Sequence, residues 1–150
     1  MNGTFMNASN CVSINPMGSE QPMSRVYYFE LPVDDFDRAI KFYETVFGWE
    51  ITKQERPSGP YYSVKTGNPN EPGINGSLFK KEEGWSTISN VIQVRDIDST
   101  IESLKKLGGE IIFPKTVING VGYLAYFKDT EGNTFGMMQE DPKAQSESGM

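Results

Sequence analysis

The chain has 150 residues, 37% of them hydrophobic, and a formal net charge of −6. That length favours one domain with its own core, and the negative charge argues against a nucleic-acid surface, which needs clustered Lys and Arg. No apolar run reaches the roughly 20 residues that cross a bilayer. Histidine is absent and Cys11 is the single cysteine, which excludes His-based nucleophile pairs, His-containing zinc sites and an intramolecular disulfide. We therefore expect a cytoplasmic protein.

The two ends of the chain differ in composition from its centre. Residues 1–22 are rich in Asn, Ser and Gly, which predicts a disordered leader, and they lack the basic start and apolar centre of a signal peptide. Residues 142–150 are polar and predict a flexible tail. We expect residues 23–141 to form the single domain. The sequence does not show whether the leader belongs to the native product.

The first half of the domain predicts a strand, a helix and three further strands. Arg25–Val33 is β-branched and aromatic, with alternating faces, and predicts a strand. Asp35 has the position of a helix N-cap, and Gly48 has that of a C-terminal stop. Between them apolar residues recur at helical spacing, and we expect the aromatic ones to lie in the core: Phe42, Tyr43 and Phe47. The three predicted strands are Trp49–Gln54, Tyr61–Thr66 and Ile74–Lys80.

The second half predicts the same order of elements. Thr87–Val94 predicts a strand, and Asp96 is the expected cap of a helix that ends at Gly108. Three strands are then expected at Glu110–Phe113, Gly122–Lys128 and Thr134–Gln139. The segment between the last two, Asp-Thr-Glu-Gly-Asn, is a strong turn signal.

Short identities recur between the halves. Val33, Asp35, Asp37 and Ile40 return 61 residues later, Gly48-Trp49-Glu50-Ile51 is echoed by Gly108-Gly109-Glu110-Ile111, and Gly76 has a counterpart in Gly136. Two copies at this period are too few for a solenoid. The repeat instead predicts an α+β fold of two tandem βαβββ modules, about residues 25–81 and 86–141. They would form a curved mixed sheet with the helices on its outer face.

Two segments resemble a known family. The sequences FELPVDDFDRAIKFYETVFGWEI and KDTEGNTFGMMQE are similar to those of the glyoxalase/bleomycin-resistance/extradiol-dioxygenase superfamily, the vicinal oxygen chelate proteins, over about Arg25 to Asp141. The Val-x-Asp and Phe-Gly-Trp elements resemble an uncharacterised glyoxalase-like branch. The resemblance implies the two-module fold rather than one reaction, because this scaffold carries several chemistries.

The resemblance also implies where a metal would lie. Family members with metal chemistry place ligands, usually His and Glu, at four equivalent points. Carried onto this sequence, those points are Tyr28, Ser89, Gly136 and its repeat counterpart Gly76. Such a set does not make a first-row metal centre. We therefore expect no metal and no other cofactor, and the family's metal-dependent activities are not implied.

Strand alternation predicts which side chains share the open face of the sheet. Glu30 joins Tyr28 there, and Ile74 and Leu78 are expected beside Gly76. The predicted ligand-binding residues are Tyr28, Glu30, Ser89, Gln93, Thr134, Gly136 and Met138. Such a surface, apolar with few polar groups, is typical of small-molecule sites. Several aromatic residues offer stacking surfaces for a flat ligand or serve as core and dimer contacts: Trp49, Trp85, Tyr61, Tyr62, Tyr123 and Tyr126.

Three functions remain open at this point. The first is metal-independent binding of a small molecule, by analogy with the metal-free, drug-sequestering members of the family. The second is a metal-independent isomerase or lyase in which Glu30 and Tyr28 are the candidate catalytic residues. The third is an interaction module with a vestigial pocket. For each, we expect a homodimer, no nucleic-acid partner and no membrane partner.

Overall fold

A computed structural model describes residues 24–56 and 59–146. Within these ranges eight strands and two helices follow one another in chain order. The first half contains β1 (Val26–Val33), α1 (Phe36–Phe47), β2 (Glu50–Gln54), β3 (Tyr61–Lys65) and β4 (Asn75–Lys80). The second contains β5 (Ser89–Gln93), α2 (Ile97–Lys106), β6 (Glu110–Ile118), β7 (Gly122–Lys128) and β8 (Thr134–Glu140). The predicted leader, with Cys11, lies outside the described residues.

All eight strands form one curved mixed sheet in the order β2-β3-β4-β1-β5-β8-β7-β6. β1 pairs in parallel with β4, and β5 pairs in parallel with β8. The two modules join where β1 and β5 run antiparallel, with Glu30 opposite Ser89. This arrangement confirms the predicted α+β fold of two βαβββ modules.

Both helices begin at the predicted caps, and α1 ends at the predicted Gly48, whereas α2 ends at Lys106 with Leu107 as its C-cap, one residue before the predicted Gly108. The Asp35 carboxylate accepts the Arg38 amide N–H at 3.0 Å, and that of Asp96 accepts the amides of Asp98 and Ser99. Gly48 closes α1 in the left-handed conformation, with φ of 72°, which costs glycine little. The caps satisfy N–H groups that a helix terminus leaves unpaired.

The helices cover one face of the sheet, and each module has its own apolar core there. Under α1 the buried residues are Leu31, Val33, Val64 and Leu78. Under α2 they are Val94, Ile97, Ala125 and Met137. No helix of residues 24–56 or 59–146 lies on the opposite face, which is called the concave face below. None of the described helices is long and apolar enough to cross a membrane.

The apolar stripe of α1 is only partly buried. Tyr43 packs against the core, but Phe42 and Phe47 are 53% and 59% exposed, contrary to the core positions expected for them. Their rings cluster with Tyr43 and Trp49 on the surface of the helix. Helical spacing placed all three aromatic residues on one apolar stripe. The sheet covers only the part of that stripe that carries Tyr43, so Phe42 and Phe47 stay exposed.

Two other segments differ from the predicted layout. β6 continues past Phe113 to Ile118, and Pro114 lies within it. This is possible because β6 is an edge strand with irregular pairing between Phe113 and Thr116, where a missing N–H costs little. The expected flexible tail also starts with a packed segment. Ala144 is 3% exposed, and its carbonyl accepts the Gly120 amide.

The register of β4 places Gly76 on the helix side of the sheet, away from the concave face. Gly76 pairs with Phe29, and Leu78 pairs with Leu31 in the core under α1. Ser77 pairs with Glu30 and takes the concave-face position that Gly76 was expected to hold. Gly136 pairs with Val91 and does lie on the concave face. The structural counterpart of Gly136 is therefore Ser77, one residue after the Gly76 that the sequence repeat aligns with it.

The two glycines should respond differently to alanine. A Cβ on Gly76 would meet the Phe29 carbonyl oxygen and lie 2.5 Å from the ring, whereas one on Gly136 would lie 3.0 Å from the Tyr126 ring. We expect Gly76→Ala to lower the free energy of unfolding by about 1–3 kcal/mol, as overpacking does. Gly136→Ala, the matched control, should cost less. Urea unfolding measures both, and a Gly76→Ala variant as stable as the wild type would contradict this register.

Candidate functional site

The centre of the concave face is a buried carboxyl group. Glu30 lies on β1, the strand that joins the two modules, and is only 4% exposed. Its neighbours in register are Ser77 on β4 and Ser89 on β5, which are also buried. β1 alternates between faces, so the same strand that sends Leu31 into the apolar core sends Glu30 to the opposite side.

Tyr126 is the hydrogen-bond partner of this carboxyl. Its hydroxyl donates to the two Glu30 carboxylate oxygens at 2.7 and 2.8 Å. Tyr126 lies on β7 in the second module, so the bond links the modules across the sheet. Beside it, the hydroxyls of Tyr28 and Ser77 are joined by a second hydrogen bond. Buried polar groups normally require such partners.

Burial changes the acid–base properties of these groups. Removal from water raises the pKa of Glu30 from 4.5 to about 7, although the Tyr126 hydrogen bond and the Arg56 charge both lower it. Burial is also the main cause that raises the pKa of Tyr28 to about 12 and that of Tyr126 still further. Near neutral pH, Glu30 therefore exists in both protonation states while the two phenols stay neutral.

Aromatic rings form a continuous row around this polar centre. Tyr61 stacks on Phe79 at 5.5 Å, Phe79 contacts Trp85, and Trp85 contacts Tyr126, which meets the edge of Phe113. The Arg56 guanidinium lies 4.2 Å from the centre of the Tyr61 ring. Trp85 comes from the connection between the modules. We call these five rings the aromatic belt.

Two polar atoms at the site have no partner. The Ser89 hydroxyl and the Trp85 indole Nε1 are both buried, and neither makes a hydrogen bond within the described part of the chain. Leaving a buried polar group unpaired costs about 1–3 kcal/mol. The site therefore holds hydrogen-bonding capacity that the described residues themselves do not use.

The predicted site residues fall into two groups. Tyr28, Glu30 and Ser89 lie at the polar centre, and Gly136 lies beside Tyr126. Thr134 stands one residue before the Asn90–Phe135 pair, near the Ser89 end of β5. Gln93 and Met138 pair with each other farther along. Four residues of strand separate Gln93 from Ser89, about 13 Å, so the structure does not bring it to the carboxyl.

Sequence reasoning missed several members of the site. Ser77 was missed because the sequence repeat assigned its place on the concave face to Gly76, one residue earlier. Tyr126 appeared only among possible stacking residues, although alternation against Ala125 and Phe127, which pack towards α2, would have placed it on the concave face. Trp85 and Arg56 lie in connections between strands, where periodicity gives no signal. Of the other aromatic candidates, Trp49, Tyr62 and Tyr123 pack on the helix side.

A cavity of about 460 Å³ lies beside Tyr28, towards one end of β1. The connection from Thr66 to Asn75 forms most of its wall, and Glu30 does not line it. Polar groups in this connection bond to one another: the Thr66 amide and hydroxyl reach Asn75 and Ile74, and the Asn68 amide reaches Glu71. The unused hydrogen-bonding groups lie instead around Glu30, which makes the concave face the stronger candidate.

The residues present do not suit the metal that the family's fold implies. The four central positions are Tyr28, Ser77, Ser89 and Gly136, and none of these is a usual ligand for a first-row metal. Glu30 adds one carboxylate, which already accepts from Tyr126. Across the described ranges, no group of three or more His, Cys, Asp or Glu side chains is placed to hold a metal ion.

The fold is that of a two-module protein with a buried polar centre on its concave face. Residues 25–137 match the family model for the glyoxalase/bleomycin resistance protein/dioxygenase superfamily. The chain belongs to this superfamily.

Relatives and solved structures are consistent with that assignment. A glyoxylase-like domain-containing protein of Didymella fabae is 32% identical over 114 residues, 70% of this chain and 85% of the relative. The lactoylglutathione lyase GLX1 of Arabidopsis thaliana is 28% identical, over 73% of this chain but 42% of its own length. The methylmalonyl-CoA epimerase of Mycobacterium tuberculosis aligns with a TM-score of 0.60 at 15% identity, over 81% of this chain and 91% of its own. That level of identity shows a shared fold.

The raised pKa of Glu30 makes stability depend on pH. Between pH 4.5 and about 7 the folded state holds a proton that the unfolded state has released, so stability falls as pH rises. A shift of this size corresponds to about 3 kcal/mol. We expect urea unfolding of the wild type to show this loss between pH 4.5 and 8, and Glu30→Gln to lack it.

The surface variant Glu102→Gln, on α2, is the matched control and should keep the wild-type profile. Parallel pH profiles for the wild type and Glu30→Gln would show that Glu30 ionises with the same pKa in both states, contrary to its burial.

Proposed function

We propose that this protein binds a small organic molecule on its concave face without a metal ion. The supporting observation is the buried polar centre around Glu30, where two polar atoms are unpaired, one on Ser89 and one on Trp85 of the aromatic belt. A surface that served only to stabilise the sheet would gain more from apolar residues, as on the helix side, because unpaired buried polar groups are unfavourable. A ligand that bonds to these atoms would remove that penalty.

The composition of the site favours an organic ligand. Rings of Trp85, Phe79 and Tyr61 offer flat apolar surface, and the polar groups are few and held in place by strands. Ligand sites generally combine an apolar lining with a small number of oriented polar groups. The donor set around Glu30 lacks the imidazole and paired carboxylates that a first-row metal would require.

Native mass spectrometry tests metal independence. We expect gently purified protein to carry no stoichiometric metal, and any organic mass that it retains should be lost from a denatured control. The same spectrum tests the assembly, for which we propose a homodimer because both outer strands, β2 and β6, leave a sheet edge open in the described fold. A metal at near-unit stoichiometry, bound until denaturation, would contradict the proposal.

A ligand screen by thermal shift tests the binding itself. A true ligand at 100 times its Kd should stabilise the fold by about 2.7 kcal/mol, and chelator treatment should leave this effect unchanged. We expect Glu30→Gln and Tyr126→Phe to weaken binding, because both alter the hydrogen-bonded centre, while Glu102→Gln should not. Failure of a broad metabolite and drug set to stabilise the wild type would count against binding and favour a vestigial pocket.

The acid–base state of Glu30 supports a second candidate, proton transfer beside a carbonyl group. A general base is most effective when its pKa is near the working pH, and the pKa of Glu30 is about 7. Glu30 would accept the proton, while Tyr126 would keep the carboxylate oriented. Tyr28 would be the phenolic donor to the substrate oxygen while its own oxygen accepts from the Ser77 hydroxyl.

Hydrogen–deuterium exchange at carbon in carbonyl compounds measures this reaction. We expect kcat/KM for an accepted compound to increase with pH through about 7, as Glu30 loses its proton, and Glu30→Gln to abolish exchange while retaining the fold. A Glu30→Gln variant with unchanged exchange would remove Glu30 from the mechanism.

A further inference from the structure

The two unpaired polar atoms of the site belong to residues that border the same polar centre. Ser89 is directly opposite Glu30 in the β1–β5 pairing. The Trp85 ring lies 5.5 Å from the Tyr126 ring, and the Tyr126 hydroxyl is bonded to Glu30. Ser89 follows Trp85 by four residues. Both residues therefore border the polar centre, Ser89 through the β1–β5 pairing and Trp85 through the Tyr126 ring.

The unused bonding capacity favours an acceptor on the ligand. An indole N–H can only donate, and a serine hydroxyl can donate as well as accept. The Tyr126 and Tyr28 hydroxyls are already engaged, with Glu30 and Ser77 respectively. A ligand oxygen that accepts from both Trp85 Nε1 and Ser89 Oγ would satisfy the two groups that the described chain leaves unpaired.

The charges around the site favour a neutral ligand. An ammonium group offers no acceptor to the Trp85 indole N–H. A cation would also be repelled by Arg56, whose charge acts on Glu30, Tyr28 and Tyr126, and would be attracted by Glu30 only while that carboxyl is ionised. An anion would meet the Glu30 carboxylate whenever that group is ionised. The rings of the aromatic belt add a preference for a planar molecule.

We propose that the ligand is an uncharged, planar molecule whose carbonyl-type oxygen accepts hydrogen bonds from Trp85 Nε1 and Ser89 Oγ. This inference rests on the proposed binding function and adds the chemical class of the ligand. It also gives Trp85, in the connection between the modules, the role of a specificity-determining residue.

Four probes of nearly equal shape separate the ligand classes. Acetophenone carries a neutral carbonyl, benzoate is an anion, 1-phenylethylammonium is a cation, and isopropylbenzene has no polar group. The chain contains two tryptophans, so two indole N–H signals are expected in a ¹⁵N spectrum. Trp85→Phe identifies the signal of Trp85, and Trp49, which packs on the helix side, provides an internal reference.

We expect acetophenone to bind most tightly and to shift the Trp85 indole signal while the Trp49 signal stays in place. Loss of one neutral hydrogen bond is worth about fivefold in Kd, so Ser89→Ala and Trp85→Phe should each weaken acetophenone binding by about that factor. Ser103→Ala, an exposed hydroxyl deletion on α2, should have no effect.

Two results would overturn the inference. If isopropylbenzene or a charged probe bound at least as tightly as acetophenone, or if concave-face signals moved without that of Trp85, the ligand class would be wrong while the binding function stood. If none of the four probes moved any concave-face signal, the inference would also fail. The thermal-shift screen, which covers other chemical classes, would then decide the binding function separately.

Discussion

The buried carboxyl of Glu30 is the constraint on which the rest of the concave face depends. A carboxyl that is 4% exposed requires a hydrogen-bond partner, and Tyr126 supplies it from a position 96 residues away in the other module. The bond therefore forms only when the two modules pack side by side through β1 and β5. Burial of the carboxyl raises its pKa, and the pairing of β1 with β4 and β5 places Ser77 and Ser89 on either side of it. The pairing of β1 with β5 therefore both joins the two modules and assembles the polar centre around Glu30.

The two faces of the sheet differ in composition: the helix side is apolar, and the concave side carries the buried polar centre. The helix side carries two apolar cores that hold α1 and α2 in place, and it keeps the strands fixed relative to one another. The concave side carries the charged, titratable and unpaired groups, at a cost in stability that the apolar side must offset. At the central positions, where metal-dependent members of the superfamily place ligands, this chain has tyrosine, two serines and glycine. The fold is that of the superfamily, and the centre of the concave face in this chain carries hydrogen-bonding groups.

Sequence patterns predicted the elements of this fold better than the contacts of the site. Local signals sufficed for the caps at Asp35 and Asp96 and for the alternation that exposes Glu30 and Leu31 on opposite faces. The identity of Ser77 depended on the parallel register of β1 and β4, strands more than forty residues apart, which the sequence repeat misplaced by one residue. Alternation places Tyr126 on the concave face, but its bond to the carboxyl depends on strand pairing, and the contact of Trp85 with Tyr126 depends on the path of the connection between the modules. The predicted strand ended at Phe113, just before Pro114, whereas β6 continues to Ile118. A proline is tolerated there because β6 lies at the edge of the sheet, a position that the local sequence does not reveal.

The most direct test of this account is the protonation state of Glu30 itself. A ¹³C NMR titration of the side-chain carboxyl groups, with the Glu30 signal assigned through Glu30→Gln, gives its pKa in the folded protein. The account predicts a midpoint near 7, with burial outweighing the Tyr126 hydrogen bond and the Arg56 charge. A midpoint near the ordinary value of 4.5 would mean that the carboxyl is solvated or fully paired, and would contradict the concave face described here.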